Sequence, residues 1–298
     1  MVTPARGRRD RTRTPRVGRH TGRAGGESFA AGFASLGEIA YAGAQVSANV
    51  VDLRSGLTVV SIDDRIVLPT AGVGSLLLLI EVSARISARD AAGFGIVDKP
   101  DAIGGPGIWR HLQAPALPVV DLAVLVGATG DHLATNALLR QVGLDAVRAR
   151  AEALGLARTA LLDRVRDTRG PDDAPQLSVG SAAELTWLIT ALRRGQIVDH
   201  PTSDRVLDWL GGGADLSLVA SGFGLDPLAH RTADHGLHLT NITGSDQGVR
   251  CEVGILVGPR AAVAYALTVQ FADTSLATRL AVHGAMRVFG LDLLEFVA

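Results

Sequence analysis

A mixed α+β fold is what this sequence predicts, with terminal strands forming one antiparallel sheet and helices packed around it. Three observations carry the expectation. Strand-like alternation is confined to residues 46–60 and to residues 236–271. The interval between them is filled by apolar residues at helical spacing. One of those helices, over residues 72–86, is apolar nearly all round, and a helix without a polar face belongs in the middle of a domain.

The elements follow in order. A helix is expected over residues 27–41. Residues 46–60 read as two strands joined by Asp52-Leu53-Arg54-Ser55-Gly56, a hairpin-type turn with Gly at its end. Residues 61–69 lead into the buried helix, where Leu76, Leu77, Leu78, Leu79 and Ile80 are consecutive. A turn-rich connection with Pro and Gly covers 98–107. Helices are expected over 118–126, 133–142 and 145–154, then a polar stretch over 163–175. An amphipathic helix over 185–194 and a short one over 205–210 precede Gly211-Gly212-Gly213, which reads as a helix stop. Strands over 236–240, 250–257 and 261–271 and a helix over 274–289 close the chain.

Composition sets bounds. The 298 residues are 47% apolar and 20% charged, a globular balance that can bury a sizeable core. Aromatic residues are only 4%, so Leu, Val, Ile and Ala must build that core. The apolar run from Leu76 to Ile80 is too short for a membrane span. Cys251 is the single cysteine, so an internal disulfide is excluded and a packed thiol is expected. Lys99 is the single lysine, so any mechanism needing a lysine base has one candidate. The formal charge of −1 hides an asymmetry, because eight arginines fall within residues 1–23. The remainder carries 21 basic and 29 acidic residues, and such an acidic body argues against nucleic-acid binding except through the Arg-rich segment. Residues 1–26 are expected as a disordered tail and 27–298 as the folded domain. Within that domain, 27–70 and 236–298 form the α/β part and 71–235 the mainly helical part. The tail has no apolar stretch of the secretory kind, and a cytoplasmic location is the expectation.

Three motifs point to one family. Gly130-Asp131-His132-Leu133-Ala134-Thr135-Asn136-Ala137-Leu138-Leu139 resembles the S-D-N-x-A-T-N-x-L-L stretch of class A β-lactamases and penicillin-recognising serine hydrolases. Residues 240–254 are similar to that family's K-T-G strand and the strand after it, with Thr243-Gly244 retained. Pro69-Thr70-Ala71 precedes the buried helix where the family places its nucleophile. The resemblance covers residues 27–295 and implies a five-stranded antiparallel sheet built from both chain ends around an inserted all-helical region.

Family chemistry is acyl transfer by a Ser, with a Lys one helical turn later as its partner. The resemblance puts the nucleophile at Gly72 and the lysine at Ser75. The S-D-N element falls on Gly130, Asp131 and His132, and the K-T-G lysine falls on Ile242. The loop that normally carries a deacylating Glu has none here, and Asp167, Asp172 and Asp173 are its nearest carboxylates. Lys99 lies far from both lysine positions, so no shift of register restores either. These positions predict a catalytically degenerate member of the fold.

Replacements are weighed residue by residue. Ser75 is the best relocated nucleophile, and a serine hydrolase or acyltransferase using it is the alternative reading. Against that, Ser75 reads as a small polar residue filling the space of a lost lysine. His132 beside Asp131 offers a base, but adjacent side chains rarely meet, and Asp131 is expected to hold backbone. His230, Asp234, His235 and His238 invite a metal reading, yet His235-x-x-His238 on a strand points to opposite faces. No metal or cofactor is expected. The ligand-binding set is Ser75, His132, Thr243, Gly244, Ser245 and Arg250, with a small ligand, a peptide carboxylate or a protein as partner.

Overall fold

The computed structural model describes residues 28–230 and 236–298. The tail expected over 1–26, and Asp234 and His235 of the histidine cluster, lie outside the described residues.

Helix α1 (Ala30–Tyr41) leads into β1 (Gln45–Asp52) and β2 (Thr58–Ile62). Their connecting turn places Gly56 at φ +72, the left-handed region that glycine enters without steric cost. The C-terminal strands are β8 (His238–Asp246), β9 (Val249–Val257) and β10 (Ala262–Gln270), numbered after five short strands introduced below. Together they form one five-stranded antiparallel sheet in the order β2-β1-β10-β9-β8. Gln45 pairs with Gln270 and Thr243 with Glu252, so both chain ends supply the sheet.

Helix α8 (Leu276–Val297) packs with α1 on one face of this sheet. The core there includes Phe29, Leu36, Tyr265, Leu267 and Phe289. The other face carries the helical region: α2 (Ser75–Ser87), α3 (Val119–Thr129), α4 (His132–Val142), α5 (Leu144–Ala153), α6 (Ala182–Arg193) and α7 (His200–Leu210). Small antiparallel pairings brace it, with β3 (Leu68–Pro69), β6 (Ala160–Leu161) and β7 (Ser178–Gly180) in one and β4 (Ile96–Asp98) with β5 (Ala116–Pro118) in another. Helix α2 is its axis, with every residue from Ser75 to Ala84 buried. One of these is Glu81, whose carboxylate takes Arg85 Nε at 2.8 Å and Arg150 Nε at 2.9 Å. Among the described residues no helix is long and apolar enough to cross a membrane.

Three of the boundaries that differ from the sequence expectation have a clear local reason. Strand β8 runs on to Asp246 because its polar residues are paired along β9. Helix α7 begins at His200, since Asp199 caps the Thr202 N–H at 2.7 Å with Pro201 in the first turn. Helix α8 continues past Phe289 to Val297, whose carbonyl accepts from Arg260 N–H at 2.9 Å.

Candidate functional site

The turn before α2 is built for close approach. Ala71 stands at φ +48, a left-handed conformation that a residue with a Cβ seldom adopts. Neighbouring bonds hold it there: Thr70 N–H donates to the Ser178 carbonyl at 3.1 Å, and Ser178 Oγ–H donates to the Ala71 carbonyl at 2.7 Å. A short 3₁₀ turn, Ala71–Gly74, then feeds α2. Strand β8 lies directly against it. A Cβ on Gly244 would sit 2.3 Å from the Thr70 carbonyl oxygen and 2.9 Å from Gly72 N, so only glycine fits.

Gly72 presents no side chain to this junction, and a Cβ there would stand 3.3 Å from the Thr243 carbonyl oxygen. Ser75 is 3% exposed, and its hydroxyl donates back to the Gly72 carbonyl at 2.6 Å. Gly130 caps the end of α3 at φ +59, and a Cβ on it would meet nothing within 4 Å. Ile242 is buried among the apolar side chains of the helical region. Between Gly130, Gly213, Asp215 and Ile242 a void of about 20 Å³ persists, the scale of a single water.

Asp131 is 1% exposed and spends its carboxylate on backbone. It accepts from Ala134 N–H at 3.0 Å as the cap of α4, and from Ile108 and Trp109 N–H at 2.8 Å each. His132 Nδ1 lies 3.0 Å from the Gly104 carbonyl oxygen. Burial is the largest influence on the ring and holds its pKa below the usual histidine value.

The loop after β6 is pinned through one residue, Val165, on both its backbone N–H and its carbonyl. Asn136 donates Nδ2–H to the Val165 carbonyl and accepts the Val165 N–H through Oδ1, both at 2.9 Å. Burial alone would raise the Asp163 pKa, but Arg166, the Arg164 N–H and Arg169 more than offset it and hold the carboxyl low. Asp167 Oδ1 accepts the Gly104 N–H at 2.7 Å, while Asp173 accepts from Gly170 N–H and pairs with Arg166 at 2.9 Å. Asp172 is exposed.

The remaining candidates lie along the β8–β9 hairpin. Thr243 Oγ1–H donates to Asp215 Oδ2 at 2.7 Å. Ser245 is exposed and lines a cavity of about 300 Å³ with Asp246, Gln247, Arg250, Phe271, Thr274 and Arg279. Arg250 is almost buried, with Nη1–H donating to the Asp246 and Val249 carbonyls and the guanidinium 5.8 Å from the Phe271 ring centre. Its Nε–H donates to His283 Nε2 at 3.1 Å, and burial and the Arg250 charge keep that imidazole below its ordinary pKa. Burial and the Arg279 charge in turn weigh against the Arg250 proton. Among the described residues neither arginine has a carboxylate within ion-pair distance. Asp246 shares the lining and its charge acts on Arg250, so an anion entering this cavity meets two guanidiniums opposed by one carboxylate.

Other positions fall outside this arrangement. His230 is buried with Nδ1 3.1 Å from the Asp226 carbonyl oxygen, and His238 is exposed on β8. Among the described residues no group of three His, Cys, Asp or Glu is placed to hold a metal ion. Cys251 is buried, with its thiol pushed up to about 12 by burial.

Sequence reasoning missed Glu252, on β9 opposite Thr243. It is wholly buried and accepts from Tyr265 Oη–H at 2.7 Å, Asn241 Nδ2–H at 3.0 Å and Ala220 N–H at 3.2 Å. Burial outweighs those donors and raises its pKa to about 7. The available signal was a lone acid in residues 251–257, a stretch that is otherwise apolar. Arg279 was missed too, because only the packing of α8 brings it to the hairpin.

Comparison with known proteins completes the picture. The family model described as the β-lactamase enzyme family matches residues 31–285. A β-lactamase from Sphaerobacter thermophilus DSM 20745 superposes with a TM-score of 0.77 at 21% identity, covering 91% of this chain and 97% of that one. A PBP-A mutant in acyl-enzyme complex with penicillin G gives 0.73 at 15% identity, covering 90% and 96%. A β-lactamase from Xanthomonas campestris pv. campestris gives 0.74 at 15% identity, covering 90% and 97%. No curated protein matches the chain.

Proposed function

This chain belongs to the β-lactamase enzyme family, and from that premise we propose that it is a catalytically degenerate member that binds a carboxylate-bearing small ligand or peptide end without hydrolysing it. One observation carries the reading. The nucleophile position, Gly72, has no side chain, and the hydroxyl at the lysine position, Ser75, is turned onto the Gly72 carbonyl. An acyl transfer needs an activated hydroxyl and a base to take its proton, and this junction holds neither.

Binding is supported by what the hairpin retains. Arg250 and Arg279 share a cavity with the Ser245 hydroxyl and the single carboxylate of Asp246, which leaves one positive charge for an anion to balance. Ser75, His132 and Thr243 already hold partners within the protein, and Arg250 gives its Nε and Nη1 to His283 and backbone carbonyls, so the contact with ligand charge falls to Ser245, Arg279 and the Arg250 Nη2. Purified protein should leave a chromogenic cephalosporin intact and take no label from fluorescent penicillin. Titration calorimetry with an acetylated dipeptide should give heat, and the amidated dipeptide should give none. A penicilloyl adduct in the intact-mass spectrum would falsify the non-hydrolytic reading.

The competing reading is a serine hydrolase using Ser75. It draws on the 2.6 Å contact, which keeps that hydroxyl beside the ancestral position. It requires stoichiometric fluorophosphonate labelling that disappears in Ser75→Ala.

A further inference from the structure

Two helix ends meet beside the edge strand. Helix α3 finishes at Thr129, with Gly130 as its left-handed cap, and α7 finishes at Leu210. They approach closely. A Cβ on Gly127 would stand 2.9 Å from the Trp209 carbonyl oxygen, and the Ala214 N–H donates to the Ala128 carbonyl at 2.8 Å. The last turn of a helix carries partial negative charge on its carbonyls, so two such ends converging on one space favour a cation there. That space is the void of about 20 Å³ beside Ile242. Its walls are residues 127–130 of one helix end, Gly213 and Asp215 after the other, and residues 241–243 of β8.

The wall has acceptors to spare. Asn241 is 1% exposed, and its Nδ2–H donates to Glu252 Oε1 at 3.0 Å and to the Asp215 carbonyl at 3.3 Å. Two acceptors on that side fix the orientation of the amide. Its Oδ1 therefore faces Gly213, where a Cβ would stand 2.6 Å from it. Among the described residues this buried oxygen receives no hydrogen bond. Donors on the wall are already committed. Thr243 gives its hydroxyl hydrogen to Asp215 Oδ2 at 2.7 Å and Thr129 to the Leu125 carbonyl at 2.8 Å, while the Gly130 and Gly213 N–H groups donate to Val126 and Leu210. Asp215 adds a carboxylate. Arg250 and His283 feel its charge, yet neither lines the void, and among the described residues no basic group lies within ion-pair distance of Asp215.

We propose that this void is a binding site for one monovalent cation the size of a water molecule, potassium or ammonium, held by Asn241 Oδ1, the Asp215 carboxylate and the carbonyls that end α3. A single carboxylate among neutral oxygens suits a single charge, whereas a divalent ion calls for more carboxylates. Among the described residues no group of three His, Cys, Asp or Glu stands ready for one. Water serves this wall less well. It brings two donors but needs donors for its own lone pairs, and the ones named above are taken. Neutral oxygens standing in for a hydration shell are the chemistry that holds potassium. Bound here, the cation ties the end of α3 and residues 213–215 to β8. Entry is past residues 128–130 and Asp215, which are half-buried. The site shares no lining residue with the arginine cavity, so it stands apart from the carboxylate-binding reading.

Thermal melting of the full chain tests this, in solutions of equal chloride concentration so that the arginine cavity is treated alike. Potassium or ammonium chloride should raise the melting temperature by about 2–4 °C over tetramethylammonium chloride, whose cation is too large to enter, and the rise should saturate. A saturating rise with either cation supports the site. In Asp215→Asn, which keeps an acceptor for Thr243 but loses the charge, the difference should vanish. Equal melting in all three salts, or the same difference in the variant, means water or a nonspecific ion only and overturns the proposal. Should the variant misfold, an NMR titration of the wild type decides. The Asn241 side-chain amide must shift to a plateau with potassium chloride and stay in place with tetramethylammonium chloride, and any other pattern overturns the site.

Discussion

Single residues here carry sharp energetic consequences. Asp131 serves three backbone N–H groups, so Asp131→Ala orphans buried donors and should cost about 3 kcal/mol or more in denaturant unfolding. Ser75→Ala removes one hydrogen bond to Gly72 and should cost about 1 kcal/mol, with no change in response to acylating probes. Glu252 gives a pH signature. Its folded pKa is raised to about 7 from an ordinary 4.5, so the native state holds a proton that the unfolded state has released. Its contribution is full below the unfolded value and fades as pH climbs through 7. Stability should therefore fall by up to about 3 kcal/mol between acid and mildly alkaline solution, and Glu252→Gln should flatten that slope in pH-dependent melting curves. The positions that the resemblance aligns with the family's motifs could be located in the sequence because each is fixed by neighbours in a local motif. Glu252 and Arg279 were not, because their settings depend on strand register and on a helix arriving from elsewhere.

At the scale of elements, the contrast between α2 and the hairpin is instructive. The consecutive leucines announced a central helix, and α2 is buried over ten residues. Leu78→Ala should cost about 2–5 kcal/mol by the cavity it leaves. Strand β8 was read from its residues only as far as position 240, since Thr, Asn and Ser blur the alternation beyond it. In the fold those polar residues are the ones that meet β9, Asp215 and the cavity at the hairpin end. Arg279→Ala lies on an exposed part of α8, so it should leave the melting temperature unchanged. In calorimetry it should weaken a dipeptide carboxylate about tenfold, as the loss of one charge-assisted contact implies.

Over the whole molecule, two apolar cores share one sheet, and the junction of interest sits where the helical core meets the edge strand. That edge contact is made of backbone against backbone, Gly72 against Gly244. The sheet itself joins sequence neighbours to very distant partners: β1 lies between β2 and β10. During synthesis the first hairpin therefore emerges long before its central partner exists. The helices around α2 share their core with Ile242, Val253 and Ala264 of the sheet, so that core too is completed only when the last strands arrive. A chain arrested before residue 262 would expose one flank of β1 for good, leaving an unpaired edge open to other nascent chains.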